Sequence, residues 1–231
     1  MKNSPFLFLL FVLLPAIAVT QESNALIQKV RDKLNRVNNY EANATMKTDV
    51  SFLKVPQAKV KVYFKKPDKI KIINEKGISF VPKGAVSINL NSIISSNNFT
   101  VIDAGNTIIS NKQLKILKLL PEDENSNVIL STIYIDENNA VIVKARTTTK
   151  DNGTYELDMK YGMFLEYGLP DNVVFTFNTK DYKMPKGVTF DYDDAAARKK
   201  VEDKNKSRQG KIEINYSSYK INKGVNDEIF K

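Results

Sequence analysis

The chain has 231 residues, with 35 Lys and Arg against 26 Asp and Glu, and it contains no His, Cys or Trp. Without His or Cys there can be no Ser-His-Asp triad, thiol nucleophile, zinc cluster, haem ligand or redox dithiol. Disulfides are excluded too, so an apolar core alone must hold the fold.

At 42% hydrophobic and 26% charged the composition is that of an ordinary globular protein, and 231 residues suffice to bury a substantial core. The formal charge of +9 raises the question of nucleic acid. However, Arg31, Arg36, Arg146, Arg198 and Arg208 are the only arginines, and the lysines are spread almost evenly along the chain. Nucleic-acid sites favour arginine forks with interleaved aromatics, so no nucleic-acid partner is expected.

Met1 to Val19 combines a positive Lys2, an apolar run from Phe6 to Leu14, Pro15, and the small-x-small triplet Ala16-Ile17-Ala18. This is the pattern of a secretory leader over residues 1–18. An uncleaved anchor would need a longer apolar run, of roughly 18 residues or more. No Cys follows, so no lipid anchor is expected, and cleavage would lower the formal charge to +8 by removing Lys2. An exported chain without cysteine fits a bacterial periplasm. Residues 19–231 are expected to form one domain.

Ser23 to Asn39 has helical periodicity: Leu26, Val30, Leu34 and Val37 share one face, with Ser23 or Asn24 suited to cap the start. From Tyr40 the period changes to two. Ala42, Ala44, Met46, Thr48, Val50 and Phe52 alternate with polar residues, and so do Ala58, Val60, Val62 and Phe64. Pro67-Asp68 turns the chain into Ile70 and Ile72. Such alternation predicts antiparallel strands with one apolar and one solvated face. Lysine on the solvated face guards against edge-to-edge pairing.

Gly77 to Val81 reads as a short strand, and Val86 to Ile94 is compatible with a strand or a short helix. Phe99–Ala104, Gln113–Leu120, Val128–Ile135, Ala140–Thr149, Thr154–Met163, Val173–Asn178 and Lys211–Ile221 read as further strands. Asp136 to Asn139, Asp151-Asn152-Gly153 and Gly168 to Asp171 supply the turns, the second being a strong hairpin signal. Asp193 to Gln209 is the most charged stretch and reads as a surface insertion. The whole is about ten or eleven strands with one long helix, by turn spacing.

Carboxylate pairs are the only plausible catalytic parts: Asp136-Glu137, Glu122-Asp123-Glu124, and Asp191 with Asp193-Asp194. Each lies in a hydrophilic turn where acids are solvated, with no apolar flank to raise a pKa for acid catalysis. No calcium loop or glycine-rich phosphate loop occurs, so neither enzyme activity nor a cofactor or metal is expected. The apolar face remains. A helix of about 17 residues spans roughly 25 Å, too little to cover such a sheet alone. The face must therefore close into a packed barrel or sandwich, or curve around a lid and leave a lined hollow.

The order of elements resembles the LolA/LolB-like outer-membrane lipoprotein-sorting proteins. The resemblance rests on Val30 to Tyr40 leading into Ala42–Phe52, on Val60-Lys-Val-Tyr-Phe-Lys-Lys-Pro67, and on Ile133-Tyr-Ile-Asp136 through Lys150-Asp-Asn-Gly153. Phe175 to Asn178 would close the half-barrel. The resemblance implies an α+β, mainly β fold: a curved antiparallel sheet forming an open half-barrel with a helix lid. It also implies a non-enzymatic, monomeric periplasmic carrier for acyl chains of lipoprotein or lipid, working with an inner- or outer-membrane protein. The family's early-strand arginine is not carried over, because Lys47, Lys54, Lys59 and Lys61 are the basic residues in those strands. The candidate lining is Met46, Val50, Phe52, Val60, Val62, Phe64, Ile70 and Ile72, whose alternative role is ordinary core packing. Another reading of the same fold is an envelope sensor or adaptor that binds a protein partner.

Overall fold

The structure, a computed structural model, describes residues 14–50, 53–54, 57–74, 94, 98–178 and 209–230, with side chains described from residue 21 onward except at 53–54. Phe52, the Gly77–Val81 strand, Asp191, and 193–208 of the expected insertion lie outside the described residues. So does Val86–Ile94 apart from Ile94, which has helical backbone and is fully buried.

Helix α1 runs from Leu14 to Asn35, starting earlier than its apolar stripe suggested. Nothing from Ala16 to Glu22 breaks a helix, and Pro15 sits in the first turn, where a missing N–H costs nothing. The leader cleavage position expected after Ala18 falls within it. The helix stops short of the predicted Asn39 because a tertiary clamp competes for the last groups. The Asn222 side chain accepts from the Asn38 and Asn39 amides and donates to the Arg36 carbonyl at 2.8 Å. Asn222 adopts φ 56°, the left-handed conformation that Asn tolerates better than most residues.

Eleven strands are described: β1 (Asn39–Val50), β2 (Leu53–Lys54), β3 (Ala58–Lys65), β4 (Lys69–Asn74), β5 (Phe99–Ile109), β6 (Lys112–Pro121), β7 (Val128–Asp136), β8 (Val141–Thr149), β9 (Gly153–Lys160), β10 (Asn172–Asn178) and β11 (Gln209–Ile221). All join one antiparallel sheet in the order β4-β3-β1-β11-β10-β9-β8-β7-β6-β5, with β2 paired to β1. The sheet is curved and unclosed, its edges being β4 and β5. Two expectations change here. β10, expected to close the half-barrel, lies inside the sheet between β9 and β11. Gln209, expected in the insertion, opens β11 and pairs with Asn178.

Strand burial follows the sequence alternation. In β1, Ala42, Ala44, Met46, Thr48 and Val50 are buried, and in β3 so are Val60, Val62 and Phe64. The register aligns these rows across strands: Ala44 faces Val60, Met46 faces Ile214, Ile212 faces Phe175, and Phe175 faces Leu157. Leu157 in turn faces Ala145, which faces Ile133, and Ile133 faces Leu117. Leu26, Ile27, Val30 and Leu34 of α1 pack into this same cluster. The core therefore sits between one helix and the inner face of one sheet.

Two hairpins show why particular residues occupy their turns. Gly153 takes φ 65° after Asp151-Asn152, and Ser110-Asn111 take φ 50° and 61° between β5 and β6. These left-handed values match the strand twist in tight hairpins.

The inner face of the sheet as the candidate site

Each predicted lining residue that is described belongs to the inner face. Met46, Val50, Val60 and Val62 are buried in the main cluster with α1, and Ile70 and Ile72 pack against it while keeping accessible surface. Phe64 belongs to a smaller cluster with Val37 and Leu169. Thr48 sits in the same row between Met46 and Val50, and its buried hydroxyl has no partner among the described residues. Alternation places it on this face, and its hydroxyl sets it apart from the apolar lining.

Helix α1 is fastened over this face by polar contacts on both sides of its apolar stripe. The Ser23 hydroxyl donates to Asp103 at 3.4 Å, and Lys115 Nζ pairs with the same carboxylate at 2.6 Å. Burial works to raise the Asp103 pKa, but Lys115, the Gly105 amide and Ser23 outweigh it and hold the carboxyl below its usual range. Arg31 donates to the Ile94 carbonyl at 3.0 Å and lies 5.8 Å from the Phe99 ring centroid. Near the other end, Lys33 donates to the Asn139 carbonyl and Lys66 to the Asn35 carbonyl.

The part of the face that local alternation concealed is aromatic. In β11, Tyr216 and Tyr219 are three apart, an odd spacing that would put them on opposite faces of a regular strand. A bulge shifts the register between Asn43 and Ala44, so Ala44 faces Tyr216 and Ala42 faces Tyr219. The two alanines leave room for the rings. Tyr219 stacks on Tyr216 at 5.0 Å and meets Tyr40 edge-on at 5.2 Å, and Tyr40 meets Phe64 at 5.3 Å. Phe164 closes on Tyr219 at 4.8 Å. Tyr161, just past β9, donates to the Ile142 carbonyl at 2.6 Å, and Tyr219 donates to the Pro170 carbonyl at 2.8 Å. Burial pushes all four phenols, Tyr40, Tyr161, Tyr216 and Tyr219, well above the ordinary tyrosine value, so they stay protonated.

Among the described residues the catalytic candidates do not assemble. Asp136 is buried rather than solvated, and both its oxygens hold the β7–β8 turn, accepting from the Asn139 amide at 3.1 Å and side chain at 2.8 Å. Glu122, Asp123, Glu124 and Glu137 are exposed. Among the described residues no group of three or more acidic side chains is placed to hold a metal ion, and no helix is long and apolar enough to cross a membrane.

No protein-family model and no curated protein sequence matches the chain. Solved structures do match it in fold. One is a domain from Vibrio parahaemolyticus assigned to outer membrane lipoprotein sorting, with a TM-score of 0.59 and 10% identity, covering 91% of this chain and 97% of that one. A LolA superfamily protein from Nitrosomonas europaea aligns with a TM-score of 0.55 and 13% identity, over 90% and 97% of the two chains. A DUF1329 family protein from Desulfovibrio piger gives 0.56 and 11%, over 92% and 97%. The coverage in both directions means that the likeness spans the whole half-barrel and is not confined to a shared hairpin. With its curved, unclosed antiparallel sheet and the helix laid on the inner face, the chain has the fold of the LolA-like, lipoprotein-sorting proteins.

Proposed function

We propose that the protein is a periplasmic, monomeric carrier that shields acyl chains of lipid or lipoprotein against the inner face of its half-barrel. The observation that supports this reading is the open architecture: among the described residues, one long helix lies over a curved sheet whose edges, β4 and β5, are not paired with each other. An apolar face that is not closed by its own strands needs another apolar surface, and an acyl chain supplies one. Ile70 and Ile72 of edge strand β4 offer the first accessible contacts. Met46, Val50, Val60 and Val62 form the floor behind them and become available when α1 lifts, and Phe64 extends it beside Val37 and Leu169. Burying an acyl chain of about fourteen carbons contributes roughly 0.8 kcal/mol per methylene, ample for a stable complex. The leader over residues 1–18 would export the chain, and its lysine-rich outer face would favour contact with anionic membranes.

The test is native mass spectrometry of the mature protein purified from its own envelope, with organic extraction of whatever leaves with it. Acyl-bearing species at about one per chain are expected. A chain carrying only its polypeptide mass, with no lipid in the extract, overturns the proposal. Co-purification with a stable protein partner and no lipid would instead favour an adaptor role.

A further inference from the structure

Among Tyr40, Tyr161, Tyr216 and Tyr219, the hydroxyls divide into two kinds. Tyr161 and Tyr219 are spoken for by the Ile142 and Pro170 carbonyls. Tyr40 and Tyr216 have no hydrogen-bond partner among the described residues, although both rings pack on the main core and both retain accessible surface. Neither hydroxyl oxygen is sealed from solvent, so each can be reached by a ligand and donate to it. Both side chains also abut Tyr219, Tyr40 edge-on at 5.2 Å and Tyr216 stacked at 5.0 Å, so the two unpartnered phenols neighbour the same ring. The β11 bulge and the small Ala42 and Ala44 serve to bring them there.

From this geometry we infer that Tyr40 and Tyr216 form a polar subsite within the apolar inner face, which hydrogen-bonds an uncharged acceptor, an ester or amide carbonyl, at the head end of an acyl ligand. This rests on the carrier reading and names the ligand class that the carrier would prefer.

The phenols remain protonated, so each brings an O–H that can donate to a carbonyl oxygen. One feature favours a neutral acceptor over an anion: a carboxylate borders the cluster. Asp171 follows the turn beneath the cluster, accepts from the Met163 amide at 3.2 Å, and bears electrostatically on Tyr219, while its own carbonyl accepts from the Tyr216 amide at 2.8 Å. Gly162 keeps this carboxylate close, since any Cβ there would collide with it. A carboxylate or phosphate head would meet a like charge, whereas an ester would not.

The experiment compares three probes with the same chain length on the mature protein: 1-monomyristoylglycerol, its ether analogue 1-O-tetradecylglycerol, which lacks the carbonyl, and myristate. Binding is measured by calorimetry for wild type, Tyr40→Phe, Tyr216→Phe and the double variant, each first checked for an unchanged thermal unfolding midpoint. Wild type is expected to bind the ester more tightly than the ether or the carboxylate. Each Tyr→Phe change should weaken ester binding about 2- to 12-fold, the range for one hydrogen bond, with ether binding unchanged. Should Tyr40→Phe fail to fold, Tyr216→Phe alone decides, because its hydroxyl bonds nothing described in the chain. An ester-to-ether ratio that is the same in wild type and the Phe variants overturns the subsite, as does a preference for myristate. Failure of wild type to bind any of the three overturns the carrier reading itself.

Discussion

The Asp103–Lys115 pair fastens the first half of α1 to the edge of the sheet, and replacing Lys115 with Met tests how far the helix depends on it. The Nζ–Oδ2 distance is 2.6 Å and each side chain is 17% exposed, so the pair is neither a surface bridge nor a dry one. Surface bridges contribute about 0–1 kcal/mol, and breaking a fully buried one costs about 3–5 kcal/mol by stranding the remaining charge. An intermediate position puts Lys115→Met at about 2 kcal/mol. With a urea m-value of about 2 kcal/mol/M, the unfolding midpoint should fall by about 1 M. The pH dependence carries the sign. In wild type the Asp103 pKa is lowered on folding, so its contribution is present above the unfolded carboxyl pKa and is lost as pH falls through the folded one. Without Lys115, only the Gly105 amide and Ser23 still oppose burial, so the folded pKa of Asp103 rises relative to wild type. The wild-type advantage is then lost as pH falls through the carboxyl range, and the deficit of the variant should shrink. The double variant Asp103→Leu/Lys115→Met removes both charges and should recover most of the loss. A single variant that costs under about 0.5 kcal/mol, or a double variant whose cost is the sum of the two singles, would refute the reasoning.

Further outcomes follow from close packing and backbone geometry. Gly210 faces Phe177 across the β10–β11 register, and an added methyl would overlap the ring. Gly210→Ala should therefore cost about 1–3 kcal/mol in urea unfolding, and adding Phe177→Leu should relieve part of that cost. Gly168 ends a 3-10 turn at φ 65° with the Leu34 side chain 3.3 Å from where a Cβ would stand, so Gly168→Ala should destabilise by about 1–2 kcal/mol. Ile133 is fully buried in the interior strand β7, and Ile133→Ala should lower stability by about 2–5 kcal/mol without changing the m-value. Ester binding, if the phenols supply the hydrogen bonds, should be flat from about pH 6 to 9, since burial keeps Tyr40 and Tyr216 protonated throughout. A loss of affinity over that range would point to another titrating group.

Much of the inner face was legible from local pattern. A period of two places Met46, Val50, Val60, Val62 and Phe64 on one side of their strands wherever those strands pair, because side chains alternate regardless of partner. Turn chemistry was equally local: Asp151-Asn152-Gly153 dictates its hairpin through the φ that Gly accepts. Tyr216 follows Ile212 and Ile214 in the period of two, but Tyr219 was not legible on this face, because the bulge opposite Ala44 reverses its parity and parity is all that a strand pattern offers. Asp136 was misplaced for a related reason. A turn aspartate is solvated by default, and only the folded β7–β8 turn shows both its oxygens consumed.

The zeros in His and Cys and the change of period after Asn39 determine, without any coordinates, that imidazole, thiol and disulfide chemistry are absent and that the apolar surface is carried on one-sided antiparallel strands. What only the tertiary structure decided is how that surface is disposed. Alternation fixes which way each side chain points, but not which strands are neighbours, because ladder hydrogen bonds are formed by backbone that every residue shares. Hence the pairing of the first strand with the last, the separation of edge strands β4 and β5, and the meeting of Tyr40 with Tyr219 all depended on long-range closure.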